Sequence, residues 1–380
     1  MDKTGIEEYF IEKDGKRLHF GFTTGTCAAA AAKAATILLL SDTAPQMVSI
    51  RTPKGIDLTL PVLEPVRGDG FACCAIRKDA GDDPDVTDGV LVYSRVSKRA
   101  QPGIAIDGGI GVGRVTKPGL KQAIGEAAIN PVPREMIRLA IEQVAKDYDG
   151  EGGFSAVISV PEGVALAERT FNPRLGIEGG ISILGTSGIV EPMSEDALID
   201  SIALEIRQKR ALGESLLILT PGNYGADFLR ERYGVPDARI VKCSNYIGKA
   251  LDAAIDAGFG RVLLAGHIGK LVKLSGGMMN THSREGDCRA ELMAAAALLA
   301  GADADTARTV LDCVTTDEML RVLKERGLLE RTMETLRTRI DGSVGLRVKG
   351  QLAVGLIVFT GNGVELFRTE AADRLLKDLR

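Results

Sequence analysis

The second half of the chain repeats, three times, a pattern of an apolar strand, a polar loop and a helix. The predicted strands are Ser215–Thr220, Ala238–Lys242 and Arg261–Ala265, each short and rich in aliphatic residues. Strands that alternate with helices form a parallel sheet with right-handed crossovers. We therefore predict a Rossmann-like layer in which the loops after the three strands lie together at one edge of the sheet.

These three loops carry the polar residues of a ligand pocket. They read Pro-Gly-Asn-Tyr-Gly, Cys-Ser-Asn and Gly-His-Ile-Gly-Lys. Ligands of open parallel sheets bind beyond the carboxyl ends of the strands, so His267 in the third loop is either a ligand contact or a buried structural histidine. His282 is either a ligand contact or part of a helix cap. Neither has a second histidine three or four residues away, so no zinc site is predicted.

The first half of the chain is richer in strands. Proline and glycine separate the predicted strands Val48–Arg51, Ile56–Leu60, Phe71–Ile76 and Val90–Ser94. We predict an α/β protein with an α+β two-layer domain over residues 1–185 and a Rossmann-like domain over 186–380. After the three repeats we predict the helices Gly286–Ala300, Asp303–Asp312, Asp317–Arg326 and Arg331–Ile340, and the strand Ala353–Phe359. The last strand and helix, in residues 345–380, have the option of packing back on the first domain.

A threonine-rich turn precedes a run of alanines near the start of the chain. Thr26 is a candidate helix cap, and Thr23, Thr24 and Thr26 with the amides of the first helical turn form an anion-binding mouth. The alternative is a capped helix that packs tightly on a sheet.

An acidic loop follows Lys78. Asp79, Asp82, Asp83 and Asp85 are close together around Gly81. Three interpretations remain open: a divalent cation site, a turn that caps itself, and hydrogen bonding to a substrate.

Two further segments suggest contacts with a ligand. The glycines of Ile104–Lys117 miss the G-x-G-x-x-G register and no helix follows at once, so we reject a nicotinamide site and expect a turn close to a bulky ligand. Pro131 and Pro133 stiffen the segment that carries Asn130 and Arg134, as expected where ligand contacts are positioned.

Charge and cysteine content limit the class of protein. The net charge is −4 without a basic run, so we expect no nucleic-acid partner. The charged N-terminus lacks the apolar core of a signal peptide, and the apolar run Cys27–Leu40 is short and contains Lys33, so we expect no membrane partner. Six cysteines without a CxxC pair indicate reduced thiols in a cytoplasmic protein.

Eight distinctive stretches follow one another along the chain. They are GFTTGTCAAAAAKAA, KDAGDDPDVT, GVGRVTKPGL, GEAAINPVPREMI, RTFNPRLGIEGGISILGTSGIVEPMS, PGNYG, KCSNYIG and GHIGKLVKLSGGMMNTHS. In this order they closely resemble the CbiD family, densely over about residues 17 to 290 and loosely over the remainder. Phe22, Ser187 and Ser275 depart mildly from the residues usual in that family.

The resemblance implies an enzyme of anaerobic cobalamin biosynthesis. Its members are cobalt-precorrin-5B C1-methyltransferases, which transfer a methyl group from S-adenosyl-L-methionine to ring carbon 1 and yield cobalt-precorrin-6A. Cobalt then belongs to the substrate, and no metal site on the protein is implied. Homo-oligomers and transient contacts with neighbouring pathway enzymes are compatible with such a role.

The resemblance also assigns roles to residues. Carboxylates on the rim of the macrocycle call for dispersed basic, amide and hydroxyl contacts. The candidates for substrate binding are Thr23, Thr24, Thr26, Asp82, Asp83, Lys117, Asn130, Arg134, Arg174, Lys270, Lys273 and His282. The candidates for binding the methyl donor are Thr220, Gly222, Asn223, Gly225, Ser244, Asn245 and Gly266. In-line displacement depends mainly on alignment and exclusion of water; if a base acts, His267 is the first candidate and Asp79 the second.

Two other functions remain alternatives. One is a non-catalytic carrier that holds a corrinoid intermediate between enzymes. The other is a nucleotide-dependent ligase that acts on a tetrapyrrole and uses the glycine-rich loops for phosphate.

Overall fold

The chain forms two compact units in a computed structural model that describes residues 4–13 and 15–379. The units are Met1–Ser194 and Glu195–Arg380. Residues 186–194 belong to the first unit, beyond the boundary expected near residue 186, because Ile189–Val190 pairs with Gly21–Phe22. Both units combine helices with sheets, and the α/β class is confirmed.

The first unit is built mainly of strands. Its strands are β1 Phe10–Lys13, β2 Lys16–His19, β3 Gly21–Phe22, β4 Met47–Arg51, β5 Asp57–Pro61, β6 Leu63–Gly68, β7 Phe71–Arg77, β8 Leu91–Arg99, β9 Ile104–Gly108, β10 Gly111–Val112, β11 Arg114–Val115, β12 Gly153–Ser159, β13 Ile177–Glu178, β14 Gly180–Ile181 and β15 Ile189–Val190. Its helices are α1 Thr24–Ser41, α2 Pro131–Asp147 and α3 Gly163–Leu166, with a 3₁₀ turn at Ala167–Arg169.

A five-stranded sheet in the order β6-β7-β8-β12-β9 carries α1 and α2 on one face. Strand β9 is parallel to β12, and the other neighbouring pairs are antiparallel. The pleat of β7 buries Cys74 while Cys73 stays partly exposed, since successive side chains point to opposite faces.

Helix α1 is the centre of the first unit. Its alanines from Ala28 to Ala32 are fully buried, because small side chains let the helix pack closely against α2 and the sheet. The helix passes a length and hydropathy test for a membrane span, and 78% of the tested window is buried inside the protein. Burial within the unit thus accounts for its apolar composition.

The second unit alternates strands and helices. Its strands are β16 Leu217–Thr220, β17 Ile240–Lys242, β18 Arg261–His267, β19 Ala353–Phe359 and β20 Glu365–Arg368. Its helices are α4 Glu195–Ala211, α5 Asn223–Tyr233, α6 Ile247–Asp256, α7 Ile268–Leu271, α8 Arg289–Leu299, α9 Ala304–Leu311, α10 Thr316–Glu325, α11 Leu329–Val348 and α12 Glu370–Lys377, with 3₁₀ turns at Asp237–Arg239 and Val272–Gly276.

The strands of the second unit form one sheet in the order β17-β16-β18-β19-β20. The first four strands are parallel and β20 is antiparallel. Side chains alternate between two faces: Leu217 and Leu219 lie in the core with α4, α6 and α8 to α11, whereas Leu216 and Ile218 lie in the core with α5 and α12. The predicted Rossmann-like layer is therefore present, covered by helices on both faces.

The end of the chain belongs to the second unit. Strand β19 pairs with β18 over its whole length, and α12 packs on β19, where Gly355 lets the helix approach closely. The last strand and helix are therefore described as part of the second unit. Helix α11 also continues past its predicted end at Ile340, through Gly342 and Gly345, because Val344 and Val348 extend its buried stripe.

Candidate functional site

The sheet of the second unit has a switch point between β16 and β18. Helix α5 connects β16 to β17, which is its neighbour on one side in the sheet. Helix α6 then connects β17 to β18, which is the neighbour of β16 on the other side. Connections that diverge in this way leave a crevice beyond the carboxyl ends of the two strands. Gly225 in α5 lets the helix lie close to this edge, since a Cβ there would be 2.7 Å from Cβ of Thr220 and 2.9 Å from the carbonyl oxygen of Ala265.

His267 ends β18 at this crevice. Its Nδ1 accepts a hydrogen bond of 3.0 Å from the amide of Gly269 and so caps the short helix α7. Burial lowers the pKa of His267, while the negative charge of Asp317 acts in the opposite direction. The neutral ring therefore carries its proton on Nε2, which makes Nε2 a hydrogen-bond donor.

This geometry is a correction to the expected role of His267. The lone pair that would take a proton is the one on Nδ1, and it is occupied by the amide of Gly269. An imidazole held in this way donates from Nε2 and does not act as a general base there. His267 remains at the site as a donor and a cap.

A basic cavity of ≈ 370 Å³ lies next to this turn, and Gly269, two residues after His267, is part of its lining. Its lining is Asn245, Gly269, Lys270, Lys273, Thr281, His282, Ser283, Asp287 and Arg289. The structure thus brings together four residues that were predicted to bind the substrate or the donor: Asn245, Lys270, Lys273 and His282.

The two lysines of the cavity are held differently. Lys273 is 3% exposed, and its ammonium donates to the carbonyl oxygens of Thr281 at 3.3 Å and Gly286 at 2.9 Å. Lys270 is half-buried and has no hydrogen-bond or carboxylate partner among residues 4–13 and 15–379. Burial lowers the pKa of the Lys270 ammonium, and the charge of Lys273 lowers it further. An anion at Lys270 would relieve both effects.

The remaining charges of the cavity leave it positive. The guanidinium of Arg289 forms two hydrogen bonds with the carboxylate of Asp287, and these bonds are the main reason that the pKa of Asp287 lies below its usual range. His282 accepts the amide of Arg284 at Nδ1 and so presents Nε2–H when it is neutral. Three cations face one carboxylate, an arrangement suited to carboxylate groups of a ligand.

The residues predicted to bind the methyl donor lie at this edge, but they differ in whether their polar atoms already bond to the protein. The hydroxyl of Thr220 donates to the carbonyl of Gly222, and the side-chain oxygen of Asn223 accepts from Lys242 at 2.7 Å. Ser244 has φ of 52°, a turn conformation. Gly222 begins α5 without a side-chain cap, whereas a Cβ on Gly266 would lie 2.9 Å from Leu271. Gly222 has open space where a ligand could approach, whereas Gly225 and Gly266 serve packing.

In the first unit, the threonine mouth at the start of α1 is closed by the chain itself. Thr23, not Thr26, is the cap: its hydroxyl accepts from the amide of Thr26. The hydroxyl of Thr26 donates to the carbonyl of Gly188 at 2.6 Å, and the hydroxyl of Thr24 accepts from the amide of Leu184 at 2.9 Å. The predicted anion site is therefore corrected to a structural junction between α1 and the loop at residues 184–188.

The acidic loop caps its own backbone and that of nearby segments. The carboxylates of Asp79, Asp82 and Asp83 accept from the amides of Gly81, His19 and Met193. Asp85 pairs with the buried ammonium of Lys78 at 2.7 Å, and this charge lowers the pKa of Asp85 although its burial acts in the opposite direction. Within the described part of the chain, no group of three metal-ligating side chains is found. These bonds favour the self-capping interpretation of the loop.

Two cations of the first unit differ in their availability. The guanidinium of Arg134 donates to the carbonyls of Ile129, Ile106 and Ala127, which makes it a clamp on the backbone and corrects its assignment to the substrate. Arg174 is exposed and lies over the ring of Phe171.

Lys117 and Asn130 are held by neighbouring backbone and amides. The stem of Lys117 packs on Gly176, where a Cβ would lie 2.5 Å from it. The side-chain oxygen of Asn130 accepts a hydrogen bond from Gln122 at 2.8 Å, and the backbone amide of Asn130 donates to the carbonyl of Ile183.

The glycines of the first unit approach backbone, not an open space. A Cβ on Gly111 would lie 1.7 Å from the carbonyl oxygen of Val160, and one on Gly180 would lie 2.3 Å from the backbone of Gly111. Strand β10 can pair with β14 only because both positions lack side chains. The expected turn beside a bulky ligand is thus a backbone crossing inside the unit.

Comparison with known proteins agrees with these segments. The CbiD family model matches residues 11–192, and the model for the CbiD C-terminal domain matches residues 280–370. A protein of Ruminiclostridium cellulolyticum named cobalt-precorrin-5B C(1)-methyltransferase is 46% identical over 98% of this chain and 98% of its own length. The chain belongs to the CbiD family.

Other members of the family are similar to a large part of this chain. The Alkaliphilus metalliredigens protein of that name is 45% identical over 98% of both chains. A crystal structure of the cobalamin biosynthesis protein cbiD from Archaeoglobus fulgidus is 28% identical and covers 73% of this chain and 88% of that chain, with a TM-score of 0.40. The likeness in sequence thus extends over both units of this CbiD protein.

Sequence reasoning missed several residues of this CbiD site. Arg289 and Asp287 lie in the cavity, and Tyr224, Asp317 and Gly361 lie close to His267. The Gly-Asn-Gly loop after β19 could have been found, because it follows the carboxyl end of a parallel strand. Asp317 carries no such signal, since only the packing of α10 brings it to the strand ends.

Proposed function

We propose that this CbiD protein is a cobalt-precorrin-5B C(1)-methyltransferase that uses S-adenosyl-L-methionine and forms cobalt-precorrin-6A in cobalamin biosynthesis. The observation that carries the proposal is the 46% identity, over 98% of both chains, with a relative of that name. As part of the proposal, we place this activity at the switch-point crevice and the basic cavity of the second unit.

The reaction requires the donor and the macrocycle to be aligned. The methyl–sulfur bond breaks, its electron pair stays on sulfur in the neutral thioether of S-adenosylhomocysteine, and ring carbon 1 supplies the pair for the new bond. Such a displacement gains mostly from positioning and from exclusion of water. The arrangement at His267, which donates from Nε2, is consistent with catalysis that needs no protein base.

The basic cavity is our candidate for the substrate's carboxylates. Lys270 supplies a cation that has no partner among the residues that the structure describes, and Lys273, His282 and Arg289 supply further donors. In the first unit, taken by itself, Arg174 is exposed and Lys117 is partly buried, and their predicted contacts with a substrate stay predictions. Charge-assisted hydrogen bonds to carboxylates are the strong polar contacts available to such a ligand.

The crevice at β16 and β18 is our candidate for the methyl donor. Gly222 leaves room for a ligand at the strand ends, and Gly225 lets α5 lie close to them. Asn245 follows β17 at the same edge. Cobalt enters only with the substrate, and we place the protein in the cytoplasm.

Label transfer tests the function. Purified protein incubated with cobalt-precorrin-5B and methyl-labelled S-adenosylmethionine should pass the label to the macrocycle, with S-adenosylhomocysteine formed in equal amount. Lys270→Met protein serves as the control for pocket-dependent transfer. Tight binding of pigment without label transfer would contradict the proposal and indicate a carrier. Thermal stabilisation by ATP with Mg²⁺, but not by S-adenosylmethionine, would contradict it in favour of a ligase.

A further inference from the structure

A second groove, of ≈ 430 Å³, lies at the carboxyl end of β19 and along the first turns of α5. Its lining is Tyr224, Asp227, Phe228, Glu231, Arg232, Phe359, Gly361, Asn362 and Gly363. None of these residues was assigned a role by the sequence, and the groove shares no lining residue with the basic cavity. Gly361 belongs to the lining of the groove and also lies beside the ring of His267.

A gap at Gly361 separates a hydrogen-bond donor from a carboxylate. A Cβ at this position would lie 3.5 Å from Nε2 of His267 and 3.6 Å from a carboxylate oxygen of Asp317. The backbone of Gly361 is not in the left-handed region, so its conformation does not require glycine. The missing side chain therefore leaves room beside two polar groups that face the same point.

The groove also has an aromatic wall. Tyr224 is 73% exposed, and its ring centre lies 6.4 Å from that of His267. Phe228 and Phe359 stack at 4.2 Å and line the groove, although both are almost fully buried. The exposed ring of Tyr224 is therefore the surface on which a flat heterocycle can stack.

The donor and the acceptor at the gap fit a hydroxyl group. Nε2–H of His267 donates, the carboxylate of Asp317 accepts, and a hydroxyl can accept from the first and donate to the second. A nucleoside combines hydroxyls on a sugar with a flat base. In many dinucleotide-binding sheets an acidic residue at the end of the neighbouring strand binds the ribose, but here Lys242 ends β17 and is bonded to Asn223.

We propose that this groove binds the nucleoside half of the methyl donor, with a ribose hydroxyl between His267 and Asp317 and the base against Tyr224. The identity of the nucleoside rests on the proposed function, whereas the position of the site rests on the groove itself. The methionine half then extends toward the ends of β16 and β18.

The sharpest test is Gly361→Ala. Its methyl group meets only ordinary contacts, so the fold and the melting temperature without ligand should be unchanged, yet it projects toward His267 and Asp317 and crowds a hydroxyl placed between them. We expect at least a tenfold increase in the Kd of S-adenosylhomocysteine by calorimetry, and a similar loss for adenosine alone. Gly342→Ala, on helix α11 with nothing within 4 Å of the added carbon, is the matched control and should bind normally. Asp317→Asn and Tyr224→Ala should each weaken binding several-fold.

Different outcomes separate the two proposals. Wild-type affinity of Gly361→Ala for S-adenosylhomocysteine would overturn the nucleoside site, even if methyl transfer is found. Sensitivity of binding to Gly361→Ala in a protein that transfers no methyl group would support the site and overturn the proposed function. Equal binding of ATP and S-adenosylhomocysteine, both sensitive to Gly361→Ala, would support a nucleoside site and overturn its assignment to the methyl donor.

Discussion

Two regions that resemble each other in sequence, the start of α1 and the edge of β16 and β18, differ in the partners of their side chains. Both are polar, glycine-containing loops that open a helix. At α1, the hydroxyls of Thr23, Thr24 and Thr26 all bond to the protein itself. At the sheet edge, Lys270 has no partner in the described part of the chain. Polar residues with protein partners stabilise the fold, and those without partners are the better candidates for ligands.

The difference has a simple physical cause. A threonine hydroxyl is short and reaches the backbone next to it, so it is readily used in a cap. A lysine ammonium needs oxygen acceptors at a distance, and the turn from His267 to Lys270 supplies none. Lys273, three residues further on, finds two carbonyls and is almost fully buried. The two lysines of one cavity therefore allow the comparison to be tested within a few residues.

The largest effect is expected for Lys270→Met. Removing an unpartnered ammonium should leave the melting temperature unchanged or raise it, while loss of charge-assisted bonds to the substrate should lower kcat/KM roughly 10- to 100-fold. Methyl-transfer rates and thermal unfolding measure the two effects. Lys273→Met is the matched comparison and should instead destabilise the protein, since the carbonyls of Thr281 and Gly286 lose the ammonium that donates to them. Equal stability losses in both variants would show that the lysines do not differ.

Thr26→Val should affect the fold and not the chemistry. The carbonyl of Gly188 loses its buried hydroxyl partner, which should cost about 1–3 kcal/mol of unfolding free energy. Denaturant unfolding measures the loss, and kcat of the folded fraction should match the wild type. A large fall in kcat with unchanged stability would restore the threonine mouth as a ligand site.

His267→Asn should separate capping from ligand binding. Asparagine is a good helix cap and can keep the bond to Gly269, so stability should change little. Its shorter side chain cannot place a donor where Nε2 lies, and the Kd of S-adenosylhomocysteine should rise about tenfold, as for loss of one hydrogen bond. Calorimetry on both proteins measures this. Full affinity with a large loss of stability would make His267 purely structural.

The smallest effect concerns the pH dependence of the first unit. The ammonium of Lys78 keeps the pKa of Asp85 below its usual 3.8, so the pair stabilises the fold above that pH. This stability is lost as the pH falls from 3.8 through the lower pKa of the folded state. The difference in melting temperature between wild type and Asp85→Asn should therefore be constant near neutrality and shrink in acid. A difference that is independent of pH would contradict this account of the pair.

Local patterns predicted much of the fold. The alternation of strands and helices from β16 to β18 was visible because burial on both sides of a parallel strand leaves a short apolar run. The extent of α11 was not, because the predicted end at Ile340 left out the buried Val344 and Val348, which continue the helix.

Long-range partners explain the errors at the site. Arg134 beside two prolines resembles a ligand contact, but its acceptors lie at Ile106 and Ala127, which the sequence does not place near it. Asp317 was missed for the same reason. Side-chain type and spacing thus indicated where the sheet edge lies, while the choice between a structural and a ligand role required the hydrogen bonds.

A crystal structure of this CbiD protein with S-adenosylhomocysteine tests the central claim most directly. We predict density for the ligand in the second unit, at the carboxyl ends of β16, β18 and β19, with a ribose hydroxyl within hydrogen-bonding distance of His267 Nε2 and Asp317. Density for the ligand confined to the first unit, against Thr23 to Thr26, would contradict the account.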